Sequence, residues 1–357
     1  MSFAVELASP KISPSLNTHA SFVTIDQSDM PEDWPQNRAF PFFDCVNISA
    51  LHGAWQFSAA RIANLKRHLA DYSLPKEIAC VAVSGSLARM EAHAGSDIDL
   101  MVVVDDRKTT VSNQRALQIF ADVWDSLAGD ESIQPLKAPK PGGVFSQCAL
   151  WSTLVNPAAK GIVNEDMTSY GQRMQLLLDA QPIFQHSCFE TLQADLLSWY
   201  AENRIQQLFH EAGPFHWLWQ EVHRYWRSIR ARACWLHAEE ACKSLEVNVK
   251  LRSSRLLLIT GFLLAIDAAH MAADSLDDAV LQLLNSLRQT PMERTVLALN
   301  SDERAERLLV AYQTAWDFIR RISVNDCMVP DEILAALHEL RDLTRDVASN
   351  GGASWFL

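Results

Sequence analysis

The spacing of apolar residues divides the chain into an arm, a mixed region and a long helical region. Residues 1–50 are polar, interrupted by prolines and without clear periodicity. They predict an extended arm that packs on the body through aromatic side chains (Trp34, Phe40, Phe42 and Phe43). Beyond residue 166, helical spacing recurs almost without interruption. It predicts helices over residues 169–180, 188–211, 216–244, 250–272, 277–289, 302–323 and 331–348.

The mixed region lies between these two parts. Residues 51–72 show helical spacing, and Pro75 ends that helix. The short apolar runs 78–83 (IACVAV) and 98–104 (IDLMVVV) predict two buried strands, separated by a turn and a short helix. An amphipathic helix over 114–127 and a weaker strand over 144–150 follow. This order predicts an α+β fold, with a small mixed-sheet domain at 51–165 followed by an all-helical domain at 166–357.

Composition and charge restrict the classes of function. The chain has 357 residues, 48% of them hydrophobic, which is enough for two domains with cores. Its formal charge of −12 argues against a protein that coats nucleic acid. Seven scattered cysteines without a C-x-x-C pair are typical of reduced thiols. The N-terminus has no secretory pattern, and the longest apolar stretch, residues 256–269, is short for a membrane span. We therefore expect a cytoplasmic protein without membrane contact.

Two aspartates begin the second predicted strand. Asp97 and Asp99 alternate with Ile98 and Leu100, and side chains at positions i and i+2 of a strand point to the same face. Two carboxylates held this close repel each other unless a cation lies between them. Such a pair suits Mg²⁺, which takes one or two carboxylates together with phosphate oxygens and water.

A glycine and a serine follow the first predicted strand. Gly85 allows a backbone to approach a phosphate closely, and Ser86 adds a hydroxyl donor at the start of a short helix. Taken alone, a Gly-Ser turn and an Asp-x-Asp strand edge are both common structural features. Their combination, in which Asp-x-Asp enters a second apolar strand about a dozen residues later, is much more specific. It indicates a phosphate cradle facing metal-binding carboxylates.

This stretch resembles the Gly-[Gly/Ser] … Asp-x-Asp signature of the DNA polymerase β nucleotidyltransferase superfamily. Within this superfamily, residues 85–100 are most similar to bacterial uridylyltransferases that modify the PII protein, and to related uncharacterised nucleotidyltransferases. The matching pattern is Gly-Ser-x-x-Arg-x-Glu … Ser-Asp-Ile-Asp-Leu. The segment from Glu165 to Ala180, which ends in Leu-Leu-Leu-Asp-Ala, resembles a second stretch of that group. The basic segments 224–227 and 250–255 resemble the helical part of the uncharacterised relatives.

The resemblance implies a substrate, a cofactor and roles for the matching residues. A nucleoside triphosphate would bind with two Mg²⁺ (or Mn²⁺), and its nucleoside monophosphate would pass to an acceptor hydroxyl with release of pyrophosphate. Asp97 and Asp99 would be the catalytic metal ligands, and the other matching residues would bind nucleotide or support its loop. Those residues are Gly85, Ser86, Arg89, which would pair with Glu91, and Ser96, which lies beside Asp97. Arg224 and Arg227 would also bind nucleotide, as part of a basic surface that includes Lys250, Arg252 and Arg255. The same basic residues would equally form an ordinary solvated surface.

One departure from the superfamily keeps other functions open. A third carboxylate is usual on a later strand, but residues 144–150 contain no acid, and Glu165, Asp166 and Asp179 are candidates without clear spacing. A non-catalytic nucleotide sensor is therefore an alternative. Others are a second-messenger synthase, and a helical ribonuclease or toxin–antitoxin partner using Arg232 and His237. The acceptor (protein, RNA or small molecule) is not identified by the sequence.

Overall fold

A computed structural model describes residues 34–42, 48–133, 136–137, 139, 141–156, 164–201, 214–236, 241–322 and 328–350. All of them belong to one compact unit, Pro31–Leu357. The helices are α1 Ser49–Asp71, α2 Gly85–Ala88, α3 Asn113–Ala128, α4 Trp151–Val155, α5 Met167–Leu178, α6 His186–Ala201, α7 His216–Leu236, α8 Ala241–Arg252, α9 Ser254–Ala272, α10 Leu276–Leu287, α11 Pro291–Ala298, α12 Asp302–Arg321 and α13 Asp331–Asn350. The strands are β1 Ile78–Ser84, β2 Asp99–Val104, β3 Ala149–Leu150 and β4 Gln181–Phe184.

The four strands form one mixed sheet in the order β3-β2-β1-β4. Strand β1 pairs antiparallel with both β2 and β4, while β2 and β3 are parallel. Alternate residues of β1 and β2 contribute to two different hydrophobic clusters, one of which includes α1, α3, α12 and α13 and the other α5, α6 and α10. Because both faces of the sheet are covered, β1 and β2 are continuous apolar runs rather than alternating ones.

The α+β class is confirmed, and most predicted helices and both central strands are present within a few residues of their expected bounds. Other elements differ from the prediction. Strand β4 lies in the region expected to be wholly helical, and the strand predicted over 144–150 is reduced to Ala149–Leu150. Helix α7 and the first residues of α8 lie within the helix predicted over 216–244, and residues 237–240 between them lie outside the described residues. Helix α11 was not anticipated. The domain boundaries at residues 50 and 165 stay predictions.

The predicted arm contacts the body through at least two of its aromatic residues. Trp34 packs edge-on against Phe189 of α6, and Phe40 packs against Trp55 of α1. Both Trp34 and Phe40 are buried. Residues 1–33 and 43–47, which include Phe43, lie outside the described residues.

Helix α9 is largely buried. It contributes to both hydrophobic clusters, and Gly261 brings it against the backbone of α11, where an added Cβ would lie 2.5 Å from the Pro291 carbonyl oxygen. Residues Lys243–Ala272 are long and apolar enough to cross a membrane by length and composition, a test that core helices also meet. Inside the protein, 67% of the most apolar window is buried. The four cysteines with described side chains (80, 148, 188 and 234) are unpaired.

Candidate functional site

The turn after β1 brings Gly85 against the carboxylate of Asp99. Ser84 and Asp99 are register partners on the antiparallel strands β1 and β2, so the turn begins directly opposite Asp99. Gly85 has φ +70°, and a Cβ there would lie 2.2 Å from Asp99 Oδ2. Only glycine therefore fits this position, for both its backbone conformation and its close contact. The predicted proximity of the Gly85-Ser86 turn to a carboxylate of the pair is present.

Asp99 lies in an environment that disfavours its charge. Burial raises the pKa of Asp99 to about 6, Arg255 acts in the opposite direction, and Asp179 raises the pKa further. Within the described part of the chain, no cation lies within ion-pair distance of Asp99. A partly buried carboxylate without a close partner is typical of a group that receives a cation or a proton during function.

Asp97 differs from Asp99 in position and exposure. It precedes β2, which begins at Asp99, and its side chain is 62% exposed, with Oδ1 2.8 Å from Lys137 Nζ. Ser96, expected to orient Asp97, instead closes the preceding turn: its hydroxyl accepts a hydrogen bond from the His93 N–H at 3.0 Å. Burial and the positive charges of Lys250, Arg320 and Lys137 lower the pKa of His93. The loop before β2 thus lies in a positive environment.

Arg89 is buried beneath the Gly85-Ser86 turn. Its Nη1 lies 2.6 Å from Asp179 Oδ2, and its Nε lies 3.1 Å from Glu91 Oε2. Burial opposes the charge of Arg89, but Glu91 and Asp179 more than offset this effect, so its pKa lies above the ordinary value. The expected Arg89–Glu91 ion pair is present. The guanidinium is bound by both carboxylates, Glu91 and Asp179. These contacts indicate that Arg89 supports the turn, and not that it binds nucleotide as predicted.

Asp179 is the third carboxylate of this region in space. It follows α5, and the pairing of β4 with β1 brings it beneath the turn. Its side chain is 0% exposed, and Oδ1 accepts a hydrogen bond from Ser84 Oγ at 2.7 Å. The other two candidates lie elsewhere: Glu165 pairs with Arg173, and Asp166 caps α5. Asp179 therefore positions the turn and the buried arginine.

The helical region contacts the same site through Glu91. Ser254, the first residue of α9, donates a hydrogen bond to Glu91 Oε2 at 2.7 Å. Trp316 of α12 donates to the Glu91 carbonyl oxygen at 2.9 Å. Arg255, next to Ser254, is the cation with the largest influence on Asp99. The start of α9 therefore adjoins the candidate site through Ser254, and the basic surface predicted to face the carboxylates stays a prediction.

The two α7 arginines predicted to bind nucleotide lie in other surroundings. Arg224 contacts Glu165 at 3.0 Å and lies over the Tyr170 ring, 4.4 Å from its centroid. It belongs to a buried charge network around Arg173, which pairs with Glu165 and Glu221 at 2.6 Å each. Arg227 is exposed. Arg224 thus contacts protein groups outside the carboxylate site.

The carboxylate pair is suited to a metal that arrives with a substrate. Among the residues that the structure describes, no group of three or more His, Cys, Asp and Glu side chains is arranged to hold a metal ion by itself. Asp97 and Asp99 would offer carboxylate oxygens, which are hard ligands, and no cation of the described residues pairs with Asp99. Mg²⁺ is commonly held by one or two carboxylates and completed by substrate phosphates and water. The donor set fits this mode of binding.

Sequence reasoning did not identify Lys137, which pairs with Asp97, or His93, whose N–H donates to Ser96, because these contacts depend on loops without periodic pattern. Asp179 was one of three candidates, and only the β1–β4 pairing distinguishes it. For the alternative ribonuclease pair, Arg232 is exposed on α7, and His237 lies outside the described residues.

Comparison with known proteins identifies one domain. The family model of the nucleotidyltransferase domain matches residues 62–139, a segment that includes β1, the Gly85-Ser86 turn and β2 with both aspartates. Residues 62–139 thus resemble a nucleotidyltransferase domain, and this match supports the polymerase β-type superfamily. The searches of curated proteins and of solved structures found no match.

Proposed function

We propose that this protein transfers a nucleoside monophosphate from a nucleoside triphosphate to an acceptor hydroxyl, with release of pyrophosphate. The observation that carries the proposal is the convergence of the Gly85 turn and the Asp99 carboxylate. Attack at a nucleotide phosphorus needs a turn that contacts the phosphates and a carboxylate that holds a metal ion. These two groups must therefore lie next to each other. The matched nucleotidyltransferase domain supports the same class of reaction.

In this proposal Gly85 and Ser86 contact the triphosphate, and Asp97 and Asp99 hold Mg²⁺ or Mn²⁺. The bound cation would neutralise charge on the phosphates and on the attacking oxygen. Asp99 must be ionised for this role, so the proton that its raised pKa favours has to leave on binding. Arg255, which already acts on Asp99, and Lys137, paired with Asp97, carry the positive charge that faces the leaving pyrophosphate.

Buried side chains keep this arrangement in place before substrate binds. Asp179 fixes Ser84 at the end of β1 and Arg89 beneath the turn. Glu91 joins Arg89 to Ser254, at the start of the helix that carries Arg255. Preorganised charges of this kind stabilise a transition state without the cost of reorganising solvent.

A second candidate function is a nucleotide sensor that binds without catalysis. The observation in its favour is that Asp179, the acid that acts most strongly on Asp99, accepts a hydrogen bond from Ser84 on one oxygen and from Arg89 on the other. It therefore offers no free oxygen to deprotonate an acceptor. The sensor would bind nucleotide at the same turn and release no pyrophosphate.

The experiment measures pyrophosphate release and nucleotide binding in parallel. Each of the four nucleoside triphosphates is tested with Mg²⁺ or Mn²⁺, with and without cell extract, for wild type, Asp97→Ala and Asp99→Ala. We expect release by wild type and a loss of at least about 100-fold in both variants, as for removal of a group that stabilises the transition state. Asp97 is exposed, so Asp97→Ala should stay folded.

Asp106→Ala is the matched control, because Asp106 hydrogen-bonds to Ser152 just beyond β2 and away from the turn. It should keep wild-type release. Binding without release under every condition would replace the transferase with the sensor. Release that survives Asp97→Ala and Asp99→Ala together would show that the site is wrong.

A further inference from the structure

The second half of helix α7 carries a group of exposed basic residues. Ala231 lies at its centre, between Arg227 one turn before and Trp235 one turn after. Arg230 and Arg232 flank Ala231 along the chain. Because residues four apart in a helix share a face, these side chains surround one point of the helix surface. All five residues are exposed, and we call them the α7 basic surface.

The three arginines of the α7 basic surface have no ion-pair partner among the described residues. Glu221, the only acid in the sequence of α7, is buried and pairs with Arg173. Other exposed arginines do have a carboxylate partner, as in the pairs Arg107–Asp105, Arg115–Glu77, Arg307–Glu339 and Arg341–Asp342. In a chain with 43 acidic and 31 basic residues, three neighbouring arginines without a partner create a local positive potential.

Trp235 adds an exposed aromatic ring to this surface. It is 83% exposed, although tryptophan is large, mostly apolar and usually well buried. Arg232 precedes it by three residues, so the ring and a guanidinium are neighbours on the helix surface. The surface therefore offers positive charge together with a flat ring on which another ring can stack.

We propose that the α7 basic surface binds single-stranded nucleic acid. Its three arginines pair with neighbouring phosphates, and Trp235 stacks on an unpaired base. Proteins that bind single strands without sequence preference use these two kinds of contact. Arg227 and Trp235 are eight residues apart, which corresponds to about 12 Å along the helix. A few successive nucleotides cover this length.

Other anionic partners fit this surface less well. A helix that lies in a membrane surface exposes several large apolar side chains on one face, whereas Trp235 is the only exposed one among the described side chains of residues 224–235. An acidic peptide would pair with the arginines and leave the Trp235 ring in water. The net charge of −12 opposes association with any polyanion, so binding depends on the local arginines and is sensitive to salt.

The test measures the fluorescence anisotropy of a short, labelled oligodeoxythymidylate mixed with the full chain. The buffer contains EDTA and no nucleoside triphosphate, so the result is independent of the proposed transferase activity. We expect saturable binding that is tighter than binding to a duplex of the same length, because paired bases offer no free face to Trp235. For three phosphate contacts, a plot of the logarithm of the association constant against the logarithm of the salt concentration should have a slope of about −2.

Arginine and tryptophan variants should differ in their salt dependence. Arg227→Gln and Arg230→Gln should each weaken binding and reduce the magnitude of the slope by about 0.7, because one phosphate contact is lost. Trp235→Ala should weaken binding at least about fivefold and leave the slope unchanged, since stacking on a base releases no counterions. Trp235→Phe, which keeps an aromatic ring, should retain most of the affinity. These side chains are exposed, so the variants should stay folded.

Arg341→Gln is the matched control, because it removes one exposed positive charge from α13 and should bind as wild type does. A loss of affinity in Arg341→Gln equal to that in Arg227→Gln would reduce the effect to net charge and overturn the proposal. Absence of oligonucleotide binding at low salt would overturn it as well. The same holds for binding to phosphatidylserine vesicles or to polyglutamate that is as tight as binding to the oligonucleotide.

Discussion

Replacing Gly85 with alanine tests whether the turn and the carboxylate must meet. The new Cβ would lie 2.2 Å from Asp99 Oδ2, whereas ordinary contacts are 3.4 Å or longer, so the carboxylate must move by about 1 Å. Displacement of a catalytic group by this distance can lower the rate about 100-fold. The positive φ adds about 1 to 2 kcal/mol of backbone strain.

Two other glycines separate these effects. Gly142 also has a positive φ, of +71°, but nothing lies within 4 Å of its Cβ position, so Gly142→Ala carries the strain without the clash. Gly53 lies inside α1 with open space around it, and Gly53→Ala should stabilise the protein by about 0.5 to 1 kcal/mol. Neither control should affect pyrophosphate release.

The assays are urea unfolding for stability and pyrophosphate release with Mg²⁺ and nucleoside triphosphate for activity. We expect Gly85→Ala to lose about 100-fold in rate and to be less stable than Gly142→Ala. If Gly85→Ala kept full activity and matched Gly142→Ala in stability, the contact between turn and carboxylate would have no functional meaning.

Three further predictions concern charge. The pKa of Asp99 is raised from 3.8 to about 6, so the folded state binds this proton more tightly, and stability should fall as pH rises from about 4 to 6. In metal-free protein the free energy of unfolding should fall by at most about 2 kcal/mol over this range. Asp99→Asn should remove the fall. If this variant kept the wild-type pH profile, the assignment to Asp99 would be refuted. Arg89→Met leaves two buried carboxylates unpaired and should cost about 3 to 5 kcal/mol in urea unfolding, so a loss below about 1 kcal/mol would contradict the network. Arg173→Met should lower the free energy of unfolding by a similar amount for the same reason. Arg224 has one third of its side chain exposed, so Arg224→Met should lower it by less than about 1 kcal/mol. Equal losses for the two variants in thermal or urea unfolding would count against this ranking.

The parts of the fold with a local pattern could be predicted from the sequence. Strands β1 and β2 are apolar runs bounded by turn residues, and the amphipathic helices repeat at helical spacing. Strand β4 was missed because it has four residues, contains Pro182 and follows α5 without a loop of its own. Proline is tolerated there because β4 is an edge strand. Only the pairing with β1 identifies it.

Helix α11 was missed although its start carries a recognisable signal. Thr290 and Glu293 form a capping box, with Pro291 in the first turn between them. The helix has eight residues, too few for apolar periodicity to be evident.

The candidate site was predictable in its chemistry but not in its geometry. The sequence placed Asp97 and Asp99 together on a strand, whereas β2 begins at Asp99 and Asp97 belongs to the preceding loop. The two carboxylates consequently differ, one partly buried and unpaired and the other exposed and paired with Lys137. Such differences arise from burial, which depends on the helices packed over the loop.

The contrast between Asp99 and Asp179 gives the strongest physical reason to consider Asp99 functional. Both lie beneath one turn, and each disfavours the charge of the other. Asp179 is fully compensated by Arg89 and Ser84, as a structural carboxylate is. Asp99 has no such partner, although Arg255 lies near, and its charge lowers the stability of the folded state. The fold therefore compensates one carboxylate and leaves its neighbour, which lies against Gly85, uncompensated, and this is the arrangement that the proposed cation site requires.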